Sequence, residues 1–283
     1  MKKLLFTVFI CQFLLVAPVF AQKEIKILCY NILEGMKTDS TAGKQLFTKW
    51  VKMQQPTMLA LQEANHFTKE SLASLAKGWG HPYSVLLKEK GYPVALTSKY
   101  PIEDVKIVIE NFHHGYIQAK SHGINFVVLH LSPHRWDKRR EEISNILHSL
   151  EQQQIVENSV LLGDFNAYSP LDSVNYRDGK AVAFLKGLQE KYPKNNYLIN
   201  NEDIDFQTIQ TVLDAGYIDA LKVLAISRPK EANMILPTKH RIDFIYLSGD
   251  MIGRISSGQF IIDDFTKKYS DHKPLFINLK PKP

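Results

Sequence analysis

The sequence predicts an α/β fold of the α+β kind, in which two central sheets, mixed and largely antiparallel, pack together with helices on their outer faces. Three observations predict it. Strand-length runs of Ile, Val, Leu and Phe recur along the whole chain. Amphipathic helical stripes separate some of these runs. From Tyr83 to Leu131, by contrast, the runs follow one another across short Gly, Asn and His connections, the pattern of hairpins. A purely parallel, doubly wound sheet needs a long crossover between strands and fits that middle section poorly.

Taken in order, the strand-like runs are Ile25–Tyr30, Met58–Leu61, Val94–Thr97, Val105–Ile109, Ile124–Leu131, Val160–Leu162, Ile242–Leu247, Phe260–Ile262 and Leu275–Leu279. Leu46, Trp50 and Gln54 place a helix near 42–54. Ile143, Ile146, Leu147 and Leu150 fall at i, i+3, i+4 and i+7, a buried stripe on a helix from Trp136 to Gln152. A third helix is expected from Ala181 to Lys191.

Composition agrees with an ordinary folded domain. The 283 residues are 45% hydrophobic and 23% charged, which excludes a collagenous or disordered chain. A domain of this length buries roughly 75% of its unfolded surface and needs no disulfide framework. No stretch after Gln22 reads as a linker, so one domain is expected over 22–283. Residues 1–21 read as an export signal: Lys2 and Lys3, then the apolar run Leu4–Val16, then Val19-Phe20-Ala21 at a cleavage position. The apolar run is short of the ~20 residues that span a bilayer, which favours cleavage over a retained anchor. Cys11 lies within that run, which counts against a lipoprotein. Cleavage would remove Lys2 and Lys3 from the 35 basic residues, leaving 33 against 29 acidic, a charge of +4, and Cys29 as the sole cysteine. The expected destination is periplasmic or extracellular in a bacterium, with no stable membrane insertion after cleavage.

Reactive residues gather at strand margins. Four runs end in a polar cluster: Asn31, Gln62-Glu63, His130, and Gly163-Asp164-Phe165-Asn166. Two others begin with one: Arg241 with Asp243, and Ser270-Asp271-His272. In antiparallel sheets the start of one strand lies beside the end of its neighbour, so all six clusters can share one edge. Each alone has a structural explanation. Asp243 fits a strand-edge carboxylate, His130 a core histidine bonded to backbone, Glu63 a strand-ending charge, and Asp164 with Asn166 a turn. As a set, these acids, amides and histidines exceed any structural need.

Tyr30-Asn31-Ile32, Leu61-Gln62-Glu63, Leu129-His130-Leu131, Gly163-Asp164-Phe165-Asn166, Arg241-Ile242-Asp243-Phe244-Ile245 and Ser270-Asp271-His272 resemble, in order, the motifs of the endonuclease/exonuclease/phosphatase superfamily, the deoxyribonuclease I-like enzymes. The resemblance spans essentially the whole chain after residue 22. It implies a four-layer α/β/β/α sandwich and divalent-metal-dependent hydrolysis of a phosphate ester, with Mg²⁺ or Mn²⁺ as cofactor. By match to the motifs, Glu63 is the principal metal ligand, with Asn31 and Asp271 nearby. Hard oxygen donors of this kind suit those cations better than zinc. The resemblance also implies that Asp164 deprotonates or orients the attacking water and that Asn166 holds that water or a phosphate oxygen. His272, its tautomer set by Asp243, contacts the phosphate or moves a proton, and His130 donates to a phosphate oxygen. It leaves the base open between Asp164 and His272.

There are departures. Leu33 stands where some repair nucleases carry a further acid, with Glu34 next door, and no Arg follows closely on Glu63. The expected partner is a phosphate-ester substrate, with nucleic acid a candidate. The best reading is a phosphodiesterase or nuclease. A phosphatase, a sphingomyelinase-like phospholipase C, or a non-catalytic binding protein on the same fold are the alternatives. Lys88, Lys90 and Lys99, or Arg135, Lys138, Arg139 and Arg140, could build a basic stripe, although the second group also reads as a solvated helix face paired with Glu141 and Glu142. His113-His114-Gly115-Tyr116 reads as a hairpin tip or a rim that touches substrate. No exposed apolar hairpin of the kind a membrane-active enzyme needs is evident.

Overall fold

Alternate residues of each central strand point to opposite faces, and in this chain both faces are apolar, so each sheet is covered on both sides. The computed structural model describes residues 24–282. The signal segment expected at 1–21 lies outside the described residues. The strands are β1 (Ile25–Asn31), β2 (Met58–Gln62), β3 (Tyr83–Leu86), β4 (Ala95–Ser98), β5 (Ile102–Val108), β6 (Tyr116–Ser121), β7 (Ile124–His130), β8 (Ser159–Asp164), β9 (Tyr217–Asp219), β10 (Asp243–Ser248), β11 (Ile255–Phe260) and β12 (Leu275–Leu279). They form two six-stranded mixed sheets, in the orders β11-β12-β1-β2-β4-β3 and β5-β6-β7-β8-β10-β9. Among these strands, β1 with β2 and β7 with β8 pair in parallel, and the other neighbours pair antiparallel.

Ile25, Ile27 and Cys29 of β1 face inward with Met58, Ala60, Phe126, Val128, Val160, Leu162, Ile245 and Ile277, forming the core between the sheets. Leu28 and Tyr30, the other face of β1, pack outward with Leu59 and Leu61 against helices α2 (Gln45–Gln54) and α3 (Lys69–Gly78), which follow the single turn α1 (Leu33–Met36). On the far side, Val127, Leu129, Leu161, Phe244 and Tyr246 meet Ile143, Ile146 and Leu150 of α4 (Trp136–Gln152) and Ile209 and Val212 of a later helix. The expected four-layer sandwich is the observed one. After α4 come α5 (Lys180–Lys191), α6 (Gln207–Asp214), α7 (Ala220–Ser227), α8 (Ala232–Ile235) and α9 (Asp264–Tyr269). Ala220, Leu221, Leu224 and Ala225 of α7 enter the inter-sheet core itself.

The predicted helix Trp136–Gln152 is observed over those residues. The one near 42–54 begins with a 3₁₀ turn and is α-helical from Gln45. Several strands shift by one to three residues from their apolar runs. Of the run Phe260–Ile262 only Phe260 belongs to β11, whose first five residues, Ile255 to Gln259, carry little apolar signal. Helix α3 begins at a capping box, in which Thr68 and Ser71 each accept from the other's backbone N–H.

Candidate active site

The register of the strands carries the polar clusters to one end of the sandwich. In the first sheet Asn31 stands opposite Gln62, with Glu63 next along the chain, and Cys29 opposite Leu275 places Ser270-Asp271-His272 just beyond. In the second sheet Asp164 stands between His130 on one neighbour and Asp243 on the other. The two ends meet where Asn31 Nδ2 donates to Asp164 Oδ2 at 3.0 Å, a bond that crosses from sheet to sheet.

Backbone geometry fixes these side chains. Gly163 has φ +147°, and a Cβ there would lie 1.9 Å from Leu129 O, so only glycine lets β8 approach β7 closely enough to set Asp164 beside His130. Glu63 and Asn166 both adopt left-handed φ, +57° and +49°, a cost that residues at functional turns often bear. Asn166 N–H donates to Asp164 Oδ1 at 2.8 Å, and Asn166 Nδ2 to Leu131 O at 3.0 Å. Ser270 Oγ donates to Asn31 O at 2.8 Å and accepts from His272 N–H at 3.1 Å, stapling the C-terminal loop to β1.

Asp164 is the hub. His130 Nε2 lies 3.5 Å and His272 Nε2 3.7 Å from its Oδ2. His272 Nδ1 bonds Asp243 Oδ2 at 2.7 Å, which sets the tautomer with its proton on that edge. Burial and then the Asp243 charge push the Asp164 carboxyl up, against the pull of His272 and the Asn166 and Asn31 hydrogen bonds. Burial alone would depress His272, but the Asp243 and Asp164 carboxylates outweigh it and raise the imidazole well above the histidine range, keeping it protonated. His130 goes the other way: burial, then the neighbouring His114, holds it neutral.

Two oxygen-rich sets adjoin the hub. Glu63 Oε1 accepts from Asn31 Nδ2 at 3.3 Å and Glu63 Oε2 from Glu34 N–H at 2.9 Å, so the carboxylate is held still. Asp271 is exposed, and its charge and that of Glu63 both act on the Lys37 ammonium, after the hydrogen bond and charge of Glu34. The donors of Asn31, Glu63 and Asp271 are all hard oxygens and fit a divalent cation of the Mg²⁺ or Mn²⁺ type. Asp164, Asp243 and His272 also offer ligand atoms within 4.8 Å of one another, and Asp243 Oδ1 is buried without a hydrogen-bond partner among the described residues. To serve there, His272 would first have to give up its proton.

All eight residues singled out in the sequence (Asn31, Glu63, His130, Asp164, Asn166, Asp243, Asp271 and His272) come from strand ends or loops at this one end of the sandwich. A groove of about 660 Å³ between α2 and α3 is lined by none of them. A smaller cavity, about 110 Å³, adjoins Asn166 and is walled by Tyr168, Phe184, Tyr197 and Ile242. Arg139, read as part of a basic stripe or solvated face, is buried and donates to Ser132 O, and Arg140 pairs with Asp205. Two features escaped the sequence reading. Arg241 is buried and ion-paired at 2.6 Å to both Asp172 and Asp219, which anchors the start of β10 two residues before Asp243. His114 stacks on His130. Neither partner is close in sequence, so no spacing could have shown them.

The family model described as Endonuclease/Exonuclease/phosphatase family matches residues 28–272, nearly the whole described chain. The chain belongs to this family. Solved structures share the fold. An AP endonuclease from Archaeoglobus fulgidus superposes with a TM-score of 0.67 at 18% identity, covering 91% of this chain and 100% of that one. The 3′ phosphatase NExo from Neisseria, in a variant form bound to a product DNA hairpin, gives 0.62 at 19% identity, covering 90% and 99%. The 3′-5′ exonuclease NExo from Neisseria meningitidis gives 0.62 at 18%, covering 90% and 100%. No curated protein sequence matches the chain. This endonuclease/exonuclease/phosphatase protein thus has a phosphoesterase fold, with its polar residues gathered at one end of the two sheets.

Proposed function

We propose that the chain is an exported, divalent-metal-dependent phosphodiesterase, with nucleic acid as the foremost substrate. The observation that carries this is Asp164 bracketed by two imidazoles, His130 at 3.5 Å and His272 at 3.7 Å, next to a Glu63 carboxylate held by Asn31 and the Glu34 N–H. Export rests on Lys2, Lys3, the apolar run to Val16 and the Val19-Phe20-Ala21 site. No helix among the described residues is long and apolar enough to cross a membrane.

Asn31, Glu63 and Asp271 would hold the cation, which supplies Lewis-acid stabilisation of the charge that builds on phosphate oxygens during in-line attack. The chain's own residues do the rest. Asp164, whose carboxyl is pushed up toward neutrality, is the acceptor for the water proton, because a base works best when its affinity for the proton is close to ambient. Asn166, pinned by Leu131 O and next to Asp164, holds that water in place. His272 already carries a proton on each nitrogen and donates through Nε2 to a phosphate oxygen. Asp243 keeps it charged and oriented. His130 donates to a second phosphate oxygen as a neutral imidazole. These donors sit in a buried site, where they strengthen as charge develops.

A phosphatase reading stands second. One structural neighbour is described both as a 3′ phosphatase and as a 3′-5′ exonuclease, so the shared fold serves mono- and diester chemistry. The test is purified protein of residues 22–283 with Mg²⁺ or Mn²⁺ and a panel of DNA, RNA, bis-p-nitrophenyl phosphate, sphingomyelin, inositol phosphates and p-nitrophenyl phosphate. Hydrolysis of the diesters, lost with EDTA and regained with either cation, is expected. Turnover of monoesters alone would establish the phosphatase, and binding without turnover anywhere would make the chain a scaffold.

A further inference from the structure

Four of the chain's ten histidines form a column from solvent to Asp164. His114, at the tip of the β5–β6 hairpin, lies face to face with His130, ring centroids 4.2 Å apart and planes 25° from parallel. His113 meets His114 edge-on at 4.4 Å, and His134, from the loop after β7, at 5.3 Å. His113 and His134 are exposed, while His114 and His130 are buried. The backbone is shaped to hold the column. Gly115 has φ +98°, and a Cβ there would lie 2.5 Å from Val108 O, so glycine is needed to tuck His114 inward. Buried Glu142 on α4 accepts from His113 N–H at 2.5 Å and Ser132 N–H at 2.8 Å, tying the hairpin tip to the loop that carries His134.

Beyond Asp164 at its inner end, the described residues give the column no free carboxylate. Both Glu142 oxygens are taken by backbone, and His114 Nε2 and His130 Nδ1 are buried without partners. Such orphaned groups are rare in folded proteins. Asn195 Nδ2 lies 3.4 Å from His134 Nδ1, which leaves Nε2 as the edge that donates. The charges felt here are positive: Lys88 and Lys138 act on His113, Lys88 on His114, and Arg139 on His134. Burial first, then for His113 and His114 the neighbouring imidazoles ahead of the lysines, and for His134 the Arg139 charge, hold all three below the usual histidine range, a state that a nearby anion would reverse. A metal ion is a poorer fit. Among the described residues, three of the chain's acids and histidines, Asp164, Asp243 and His272, bring ligand atoms within 4.8 Å of one another, and no three of the column's histidines do.

Building on the phosphoester reading above, we propose that His113, His114 and His134, with Lys88 beside them, form a second anion subsite. It receives a further phosphate group of the substrate, one imidazole ring away from the phosphate that faces Asp164. The substrate class is therefore a compound or strand end carrying two phosphate groups, the second held by charge-assisted hydrogen bonds as the imidazoles take up protons.

Calorimetric titration with deoxythymidine 3′,5′-bisphosphate and with deoxythymidine 5′-monophosphate, both with Mg²⁺, tests this. The bisphosphate is expected to bind about ten-fold more tightly, with proton uptake seen as a dependence of the heat on buffer. The double variant H113A/H134A, altered only at exposed side chains, and K88M should each lose that preference. Equal affinity for the two nucleotides in the unaltered protein, or a preference that survives both variants, would overturn the subsite. Hydrolysis of bis-p-nitrophenyl phosphate, run in parallel, separates the two proposals. Turnover without the preference sinks only the subsite, and preference without turnover sinks only the hydrolase.

Discussion

Asp164 bears opposing demands: it accepts from Asn31 and Asn166, faces two imidazoles, and is buried next to a second carboxylate. A carboxyl whose folded pKa lies above its unfolded value costs stability once pH exceeds the unfolded value of about 4. Asp164→Asn keeps the shape and removes that cost. Its urea midpoint at pH 8 is expected to equal or exceed that of the unaltered protein, while diester hydrolysis falls about 10³-fold or more. A variant that keeps most of its turnover would remove Asp164 from the mechanism. Asp243→Asn tests the partner. An amide facing His272 Nδ1 no longer demands a proton there, so the imidazole loses its charge and its fixed tautomer. A fall in kcat of roughly 10³- to 10⁴-fold with KM little changed is expected from steady-state kinetics. That Asn31, Glu63, His130, Asp164, Asn166, Asp243, Asp271 and His272 stand at strand margins was legible, because each adjoins an apolar run. Their hydrogen-bond partners were not, since Asn31 and Asp164 lie 133 positions apart.

At the scale of elements, the β7–β8 pair sets the geometry of the site. Gly163→Ala would drive a methyl into Leu129 O, where the contact would be 1.9 Å, and force a non-glycine residue to φ +147°. We expect a loss of more than about 3 kcal/mol in urea unfolding, because backbone rather than a side chain must move. A loss under about 1 kcal/mol would mean that the strands can part without harm. The strands and helices that were readable share strong periodicity: β1, β7, β8, β10 and α4 each bury regular apolar positions. Those that were missed lack it. β11 reads Ile-Ser-Ser-Gly-Gln-Phe and lies at a sheet edge, where most of its residues are only half-buried. β6 alternates Gln118 and Lys120 with apolar residues, and Gln118 is buried where it pairs with Gln153, just past the end of α4. α7 buries Ala220, Leu221, Leu224 and Ala225, and so short an apolar stretch does not distinguish helix from strand.

Across the whole molecule, buried neutral histidines make the fold sensitive to acid. His81 is fully buried, with Nδ1 2.7 Å from Thr97 Oγ1 and Nε2 2.9 Å from Pro56 O, and burial lowers it to about 4. Between about pH 6.5 and 4 the unfolded chain binds the proton that the folded chain refuses, so stability is complete above about 6.5 and drains as pH falls. From about pH 7 to 4.5 this site alone accounts for about 2–3 kcal/mol, and His114 and His130 act in the same direction. Urea unfolding at both pH values should show a shallower loss for His81→Gln than for the unaltered protein, and parallel losses would refute the assignment. The sequence by itself determined the two-sheet architecture and which residues stand at strand ends, because apolar periodicity and polar interruptions are local properties. Only the tertiary structure decided which of those ends meet, that Asp243 and Asp164 hold the proton on His272 while burial and then His114 keep His130 neutral, and that His113, His114 and His134 join the same edge. Those outcomes depend on burial and on distances between residues far apart in the chain, and no local pattern encodes either.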